Sequence, residues 1–274
     1  MSSRRGIRAT YAARVARAIY RDPYEAEERI LDRIDEWREK RRALPTPSPN
    51  DAWEQDLHTM LGARWPCPEA EKFSRIWRDT VCRVEARGIT VGRGAFGGWD
   101  DADPALGRAA WCITRHAHPR TVVETGVARG FTTSVILEAL RRNRQGRLFS
   151  IDQPPLVEVD LATETGAAVR DELRSSWTLV RGSSRRCLGS LLAQLECVDF
   201  FVHDSMHTTR NVLFELRTVW PVLLAGGLLL VDDIERNGAF SLFSADFDHP
   251  VRRIIIPADD GRALIGVLQK QHDP

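Results

Sequence analysis

Carboxylates recur where apolar runs stop. Thr121–Glu124, Leu148–Asp152, Asp199–Asp204 and Leu228–Asp232 each read as a strand closing on an acid, with Asp233 directly after the last. Any one of these acids could simply cap the next helix. A row of them along one sheet edge argues for a site, because ligands of open α/β sheets bind beyond the carboxyl ends of the strands. Asp204, Asp232 and Asp233 fall at adjacent strand ends in this reading, so three carboxylates could converge on one hard cation, and Mg²⁺ suits such oxygen donors. The competing arrangement has Asp204 facing a cofactor while Asp232-Asp233 caps a loop. His207, three residues beyond Asp204, offers an imidazole suited to accept a substrate proton; its alternative is a capping or partner-bonded surface histidine. His203 lies inside a strand and reads as a core residue, while His116 and His118 close a helix and carry no chemistry. Asn237 and Phe240 shape the pocket, complete a metal shell or serve a loop hydrogen bond.

The first strand runs into Glu124-Thr125-Gly126-Val127-Ala128-Arg129-Gly130-Phe131-Thr132-Thr133. Gly126 and Gly130 permit close backbone approach to a ligand. The spacing is E-x-G-x-x-x-G and lacks the third glycine of the G-x-G-x-x-G pyrophosphate cradle, which disfavours a dinucleotide. Asp152 is placed to accept from a ribose diol, a role open to nicotinamide and adenosyl cofactors alike.

These residues need a scaffold. After Pro119, short apolar runs alternate with helical segments, the pattern of a parallel sheet with helices on both faces. The expected strands are the four above plus Thr178–Arg181. Helices are expected at Thr132–Arg142, Thr165–Ser175, Ser184–Leu195 and Thr209–Leu224. Arg252–Ile256 and Arg262–Leu268 flank Asp259-Asp260-Gly261 as an antiparallel hairpin. Before Pro119 the chain reads as helices: one carrying Tyr11, Val15 and Ile19, one opened by Asp22-Pro23, then Asp51–Leu61, Glu69–Arg87 and a helix capped by Asp103-Pro104. Pro45–Asn50 is a linker or corner, and Gly92–Asp101 is either a flexible lid or a plain connector. The expected division is 1–119, a helical cap with linker and glycine-rich loop, and 120–274, the cofactor-binding domain. The cap is expected to supply substrate contacts or a surface for self-association.

Composition limits the functions available. The 274 residues are 43% hydrophobic and 28% charged, which fits a globular protein. Lys plus Arg is 39 against 38 acids, without the positive excess that binding a phosphate backbone needs, so no nucleic-acid partner is expected. Arg4, Arg5, Arg8, Arg14 and Arg17 with Ser2 and Ser3 resemble a transit peptide but read as part of an ordinary first helix. The longest apolar run, Val222–Val231, is far short of the ~20 residues of a membrane span. The five cysteines, Cys67, Cys82, Cys112, Cys187 and Cys197, show no C-x-x-C spacing and suggest neither a disulfide framework nor a zinc site, which fits a cytoplasmic location.

From Thr121 to Lys270 the sequence resembles the class I S-adenosylmethionine-dependent methyltransferases. E-T-G-V-A-R-G-F-T-T is similar to their first motif, F-S-I-D-Q to the acidic second-strand end, and W-P-V-L-L-A-G-G-L-L-L-V-D-D-I to the helix, glycine turn and fifth strand. H-D-S-M-H-T followed by that last run resembles the branch containing macrocin O-methyltransferase-like and cephalosporin-hydroxylase-like sequences. The resemblance implies a Rossmann-like α/β fold, mostly parallel with an antiparallel last strand, and an N-terminal helical appendage outside the match. It implies S-adenosylmethionine as cofactor, with Glu124, Gly126 and Gly130 at the methionine end, Asp152 on the ribose and Gly182-Ser183-Ser184 by the adenine. Thr132 contributes at the helix start; for Thr132 and Ser184 the alternative is helix capping. It further implies O-methylation of a small molecule, a sugar or natural-product hydroxyl, assisted by Mg²⁺ at Asp204, Asp232 and Asp233. Asp204 and His207 then act on the substrate. Where the family often carries D-x-D-H, this chain reads Asp204-Ser205-Met206-His207, which removes a carboxylate base and raises His207. The competing functions are a metal-independent methyltransferase using His207, a nicotinamide-dependent oxidoreductase on a similar sheet, and a cofactor-binding protein without activity.

Overall fold

A computed structural model describes residue 20 and residues 22–41, 46–153, 159–247 and 251–271; the expected helix around Tyr11, Val15 and Ile19 lies outside them. Seven strands form one sheet: β1 Thr121–Thr125, β2 Arg147–Asp152, β3 Trp177–Arg181, β4 Val198–His203, β5 Leu223–Val231, β6 Arg252–Pro257 and β7 Leu264–Gln269. Their order is β3-β2-β1-β4-β5-β7-β6, with β1 to β5 parallel and β7 antiparallel to β5. The sheet is the Rossmann-like methyltransferase arrangement expected from the motifs. Strand order reverses between β1 and β4, which opens a crevice above their carboxyl ends.

The helices are α1 Pro23–Glu39, α2 Trp53–Met60, α3 Ala70–Glu85, α4 Pro104–Ala117, α5 Phe131–Asn143, α6 Val159–Thr163, α7 Ser184–Leu195, α8 Thr209–Val219 and α9 Ala239–Ala245. Their starts follow sequence chemistry. Asp22 accepts from the Glu25 amide and Asp103 from the Ala105 amide, each ahead of a proline in the first turn.

Two expectations fail. No helix spans Thr165–Ser175; the short α6 precedes a run of turns and a 3₁₀ turn at Asp171–Ser176. Tertiary bonds override helical periodicity here, since the Gly166 amide donates to Ala128 O at 2.9 Å and the Ala168 amide to Arg129 O at 2.8 Å. The helix expected to run to Leu224 stops at Val219: Pro221 brings a 3₁₀ turn, and β5 begins at Leu223, five residues earlier than expected.

The segment before β1 divides by how it packs. Trp53, Leu57 and Met60 of α2, Phe73 of α3 and Trp111 of α4 share one hydrophobic core with Val122 of β1, Val135 of α5 and Ile254 of β6. Asn50 extends this contact, its amide donating to Ile255 O at 2.8 Å and its side-chain Oδ1 accepting from the Ile255 amide at 2.9 Å. Helix α1 is different: it reaches the α/β body through side-chain bonds to α7 and α8, and its Ile30 and Trp37 are exposed.

Candidate active site

The sheet register sets the site. His203 of β4 pairs with Val231 of β5, so the next residues, Asp204 and Asp232, emerge side by side. The Asp204 amide donates to Thr125 O at 2.8 Å and the Asp232 amide to His203 O at 3.0 Å, which extends the ladder to the crevice rim. Asp204, His207 and Asp232 each bring one ligand-capable atom within 4.8 Å of the other two. Asp233, expected as the third acid, falls outside this trio. Its backbone turns into the left-handed region and its Oδ2 pairs with Arg236 Nε at 2.9 Å. His207 takes that place instead, its Nε2 lying 3.9 Å from Asp204 Oδ1 and 3.5 Å from Asp233 Oδ2.

Electrostatics follow from crowding. Burial, then Asp233 and Glu124, raises Asp204 well above the usual carboxylate range; burial and Asp204 do the same for Asp232. Burial, reinforced by His203 and Arg236, pushes His207 far down, so its ring is neutral at neutral pH. One oxygen of Asp232 and the Nδ1 of His207 are buried without a partner.

At the other end of the crevice, Asp152 Oδ1 accepts from the amides of Val127 and Ala128 at 3.0 and 3.3 Å. Its Oδ2 is buried with no hydrogen bond, the nearest cation being Arg181 at 3.7 Å. Thus one carboxylate oxygen organises the glycine turn while the other is left to a ligand. A cavity of about 2120 Å³ includes Asp152, Gly126, Gly130, Thr132, Ser183 and Ser184 together with Asp204, His207, Asp232 and Asp233.

Other expected residues have different surroundings. Glu124 does not line this cavity; it is 1% exposed beneath it, accepting from Thr133 Oγ1 at 2.8 Å and Ser150 Oγ at 2.6 Å, and burial raises it to about 7. Gly126, at φ +86°, is required by the protein itself, since a Cβ there would stand 1.8 Å from Asp204 O. Gly130 abuts Gly166 and Val169. Ser183 donates to Glu28 of α1 at 2.8 Å, while the Ser184 hydroxyl turns to Asn211 at 3.4 Å. Asn237 serves its loop, donating to His207 O at 3.2 Å and accepting from the Ala239 amide at 3.0 Å, and Phe240 is buried against Gly266.

Three features escape the sequence patterns. Arg129, inside the glycine turn, bonds Asp101 at 2.5 Å, Glu164 at 2.7 Å and the carbonyls of Thr90 and Ala95 at 2.7 and 3.0 Å. It thereby fastens the Gly92–Asp101 loop over the crevice. That loop places Trp99, 41% exposed, 6.1 Å from the His207 ring. Beneath, Glu215 of α8 gathers His203, Thr125, Ser205 and Asn211. Burial opposes the charge on Glu215, yet His203, Ser184 and Ser205 hold it down to about 2. A single acid beside the apolar α8 stripe of Val212, Leu216 and Val219 was the available signal for Glu215, as an arginine within a glycine turn was for Arg129.

Residues 123–234 match the family model described as a methyltransferase domain. A search of curated protein sequences gives no match. Among solved structures, a Klebsiella pneumoniae protein assigned as an O-methyltransferase is 14% identical, covers 80% of this chain and 98% of its own, and superposes with a TM-score of 0.55. The O-methyltransferase of Bacillus cereus, in complex with SAH, is 12% identical, covers 80% and 99%, and gives 0.53. At these identities the likeness is one of fold. No described helix is long and apolar enough to cross a membrane.

Proposed function

We propose that this chain, whose residues 123–234 match a methyltransferase-domain model, is an enzyme that moves a methyl group from S-adenosylmethionine to a hydroxyl of a small molecule with the help of a divalent cation. The observation that carries the reading is one cavity with two unsatisfied ends, the free oxygen of Asp152 and the Asp204–His207–Asp232 trio. Bound S-adenosylmethionine would supply an electrophilic sulfonium methyl. Asp152 Oδ2 fits a ribose diol, an acceptor facing two donors, and Thr132, Ser183 and Ser184 border the same space. Gly126 and Gly130 keep the turn open by allowing it to pack against Asp204 and Gly166. Glu124 supports the turn from below rather than touching the cofactor.

Asp204, His207 and Asp232 would hold the cation, whose Lewis acidity would lower the pKa of a bound hydroxyl. Two oxygens and one imidazole leave positions for substrate and water, a set that suits Mg²⁺ or Mn²⁺. A second reading keeps His207 as the general base without metal; its neutral ring within reach of Asp204 and Asp233 favours it. Trp99 and Phe96 from the glycine-rich loop, with Ile34 and Trp37 of α1, give the substrate side an aromatic and apolar wall. This supports residues 1–119 acting as a cap over a small acceptor, and the absence of excess positive charge speaks against nucleic acid.

Calorimetry with S-adenosylhomocysteine and with NADH tests the cofactor. Binding of the first alone is expected, and binding of NADH alone overturns the reading. Chelation should abolish turnover and Mg²⁺ or Mn²⁺ restore it; full turnover after chelation leaves the histidine-base mechanism.

A further inference from the structure

Away from the crevice, the helical segment gathers a second set of donors. His58 lies on α2, Cys67 on the α2–α3 connection, and Cys112 and His116 one turn apart on α4. Side-chain atoms of His58, Cys67 and Cys112 lie within 4.8 Å of one another. Cys67 Sγ is 3.6 Å from His116 Nε2, and the two imidazole rings meet edge to face at 5.1 Å. None of the four lines the reaction cavity.

His58 supplies the independent observation. Its Nδ1 is 2.6 Å from the Glu54 carbonyl, which can only accept, so that nitrogen carries the proton. The lone pair is therefore on Nε2, and Nε2 is buried without any partner in a residue that is 1% exposed. A carbonyl fixing one ring nitrogen while the other is left unpartnered beside further donors is how metal-binding histidines are oriented.

We propose that His58, Cys67, Cys112 and His116 form a closed structural Zn²⁺ site that clamps α2 to α4. Zinc binds thiolate sulfur at ~2.3 Å and imidazole nitrogen at ~2.05 Å, so a tetrahedron places sulfur and nitrogen about 3.6 Å apart. The Cys67–His116 separation already has this value. Two soft thiolates exclude Mg²⁺, and four protein donors leave no open position for a substrate. The role is mechanical: α4 runs directly into β1, which leads to the glycine turn, so fixing α4 fixes the scaffold of the site. Sequence spacing suggests no zinc site, because the donors come from three separate stretches and share only the four-residue step on α4.

The test is metal analysis of the full chain purified under reducing conditions, together with the visible spectrum of the Co²⁺-exchanged protein. One equivalent of zinc is expected, with a thiolate-to-cobalt charge-transfer band and the strong visible bands of tetrahedral cobalt. Cys67→Ser and Cys112→Ser should lose both, His116→Ala should weaken binding, and Asp232→Asn should retain both. Circular dichroism checks that the variants fold, while the wild-type cobalt spectrum stands without any variant. Substoichiometric zinc with no charge-transfer band overturns the proposal. So does a Cys67–Cys112 disulfide found by mass spectrometry, or cobalt bound only through Asp232.

Discussion

Replacing Arg129 by Met keeps much of the buried stem and deletes the charge, leaving its partners to find other solutions. Arg129 and Asp101 are both 4% exposed at the side chain, whereas Glu164 is 23% exposed and recovers water readily. Asp101 still accepts from the Gly92 amide at 2.6 Å, but the carbonyls of Thr90 and Ala95 lose their donor. If the Gly92–Asp101 loop stayed in place, stranding Asp101 would cost about 3–5 kcal/mol, the range for breaking a buried ion pair from one side. If the loop lifted, its groups would rehydrate and the loss would fall to about 1–2 kcal/mol, roughly the unsatisfied-group penalty that remains. Urea unfolding measures the cost, and amide exchange at Gly92 and Gly94 tells which route is taken. Faster exchange there with a small loss indicates lifting; unchanged exchange with a large loss indicates a stranded acid. Adding Asp101→Asn should return part of the stability, with a coupling energy of at least about 1 kcal/mol. A stability loss below that size, unchanged loop exchange and simple additivity would together refute the fastening role.

Three further outcomes are expected. Glu124 is raised in the folded protein to about 7 against an ordinary 4.5, so the native state favours its protonated form. Its contribution is present below the unfolded value and lost as pH rises from about 4.5 through 7, at most ~3 kcal/mol, and Glu124→Gln should flatten the urea midpoint over that window relative to wild type. An unchanged pH profile would sink this. Asp152→Asn keeps an oxygen for the Val127 and Ala128 amides but turns a donor toward the ligand, so S-adenosylhomocysteine affinity should fall about 10- to 100-fold by calorimetry with the melting temperature preserved. Equal affinity removes Asp152 from the site. Deleting residues 1–41 should leave a folded protein that binds the cofactor product but turns over slowly; parental turnover would show that α1 takes no part.

The sheet was legible because strand and helix periods differ and each strand body is continuously apolar. The acidic edge was legible for the same reason: a parallel strand buried on both faces accommodates acids most readily where it ends, as at Asp152, Asp204 and Asp232. What stayed hidden depends on partners distant in sequence. Gly126 looked like a ligand-facing glycine, and only the approach of the Asp204 carbonyl shows that the protein itself needs it. The trio of clustered donors includes His207 and not Asp233, whose backbone is left-handed and whose Oδ2 pairs with Arg236, a turn that local sequence does not reveal. The helix expected at Thr165–Ser175 had a fair pattern but lost its backbone amides to Ala128 and Arg129. Glu215 sits where a helix should be apolar, and its four donors come from three other elements and one of its own turns.

The crevice is roofed from two sides, and the fastenings differ in strength. On the loop side, Arg129 and Asp101 are buried, so their separation leaves charges out of water and the contact is costly to open. On the α1 side, Arg186 pairs with Asp22 in solvent, and Arg210, itself 39% exposed, pairs with Asp32 and Asp35, contacts that water and salt weaken. The hydrogen bonds from Ser183 to Glu28 and from the Thr209 amide to Glu39 complete that side, and no residue of α1 belongs to the apolar clusters that hold the sheet. A roof with one strong and one weak edge opens at the weak edge. On this accounting helix α1 would be the door through which a substrate reaches the trio, and the Gly92–Asp101 loop, with Trp99 beside His207, the wall against which it would be held. The truncation acts on the door and Arg129→Met on the wall, so turnover and loop exchange separate the two.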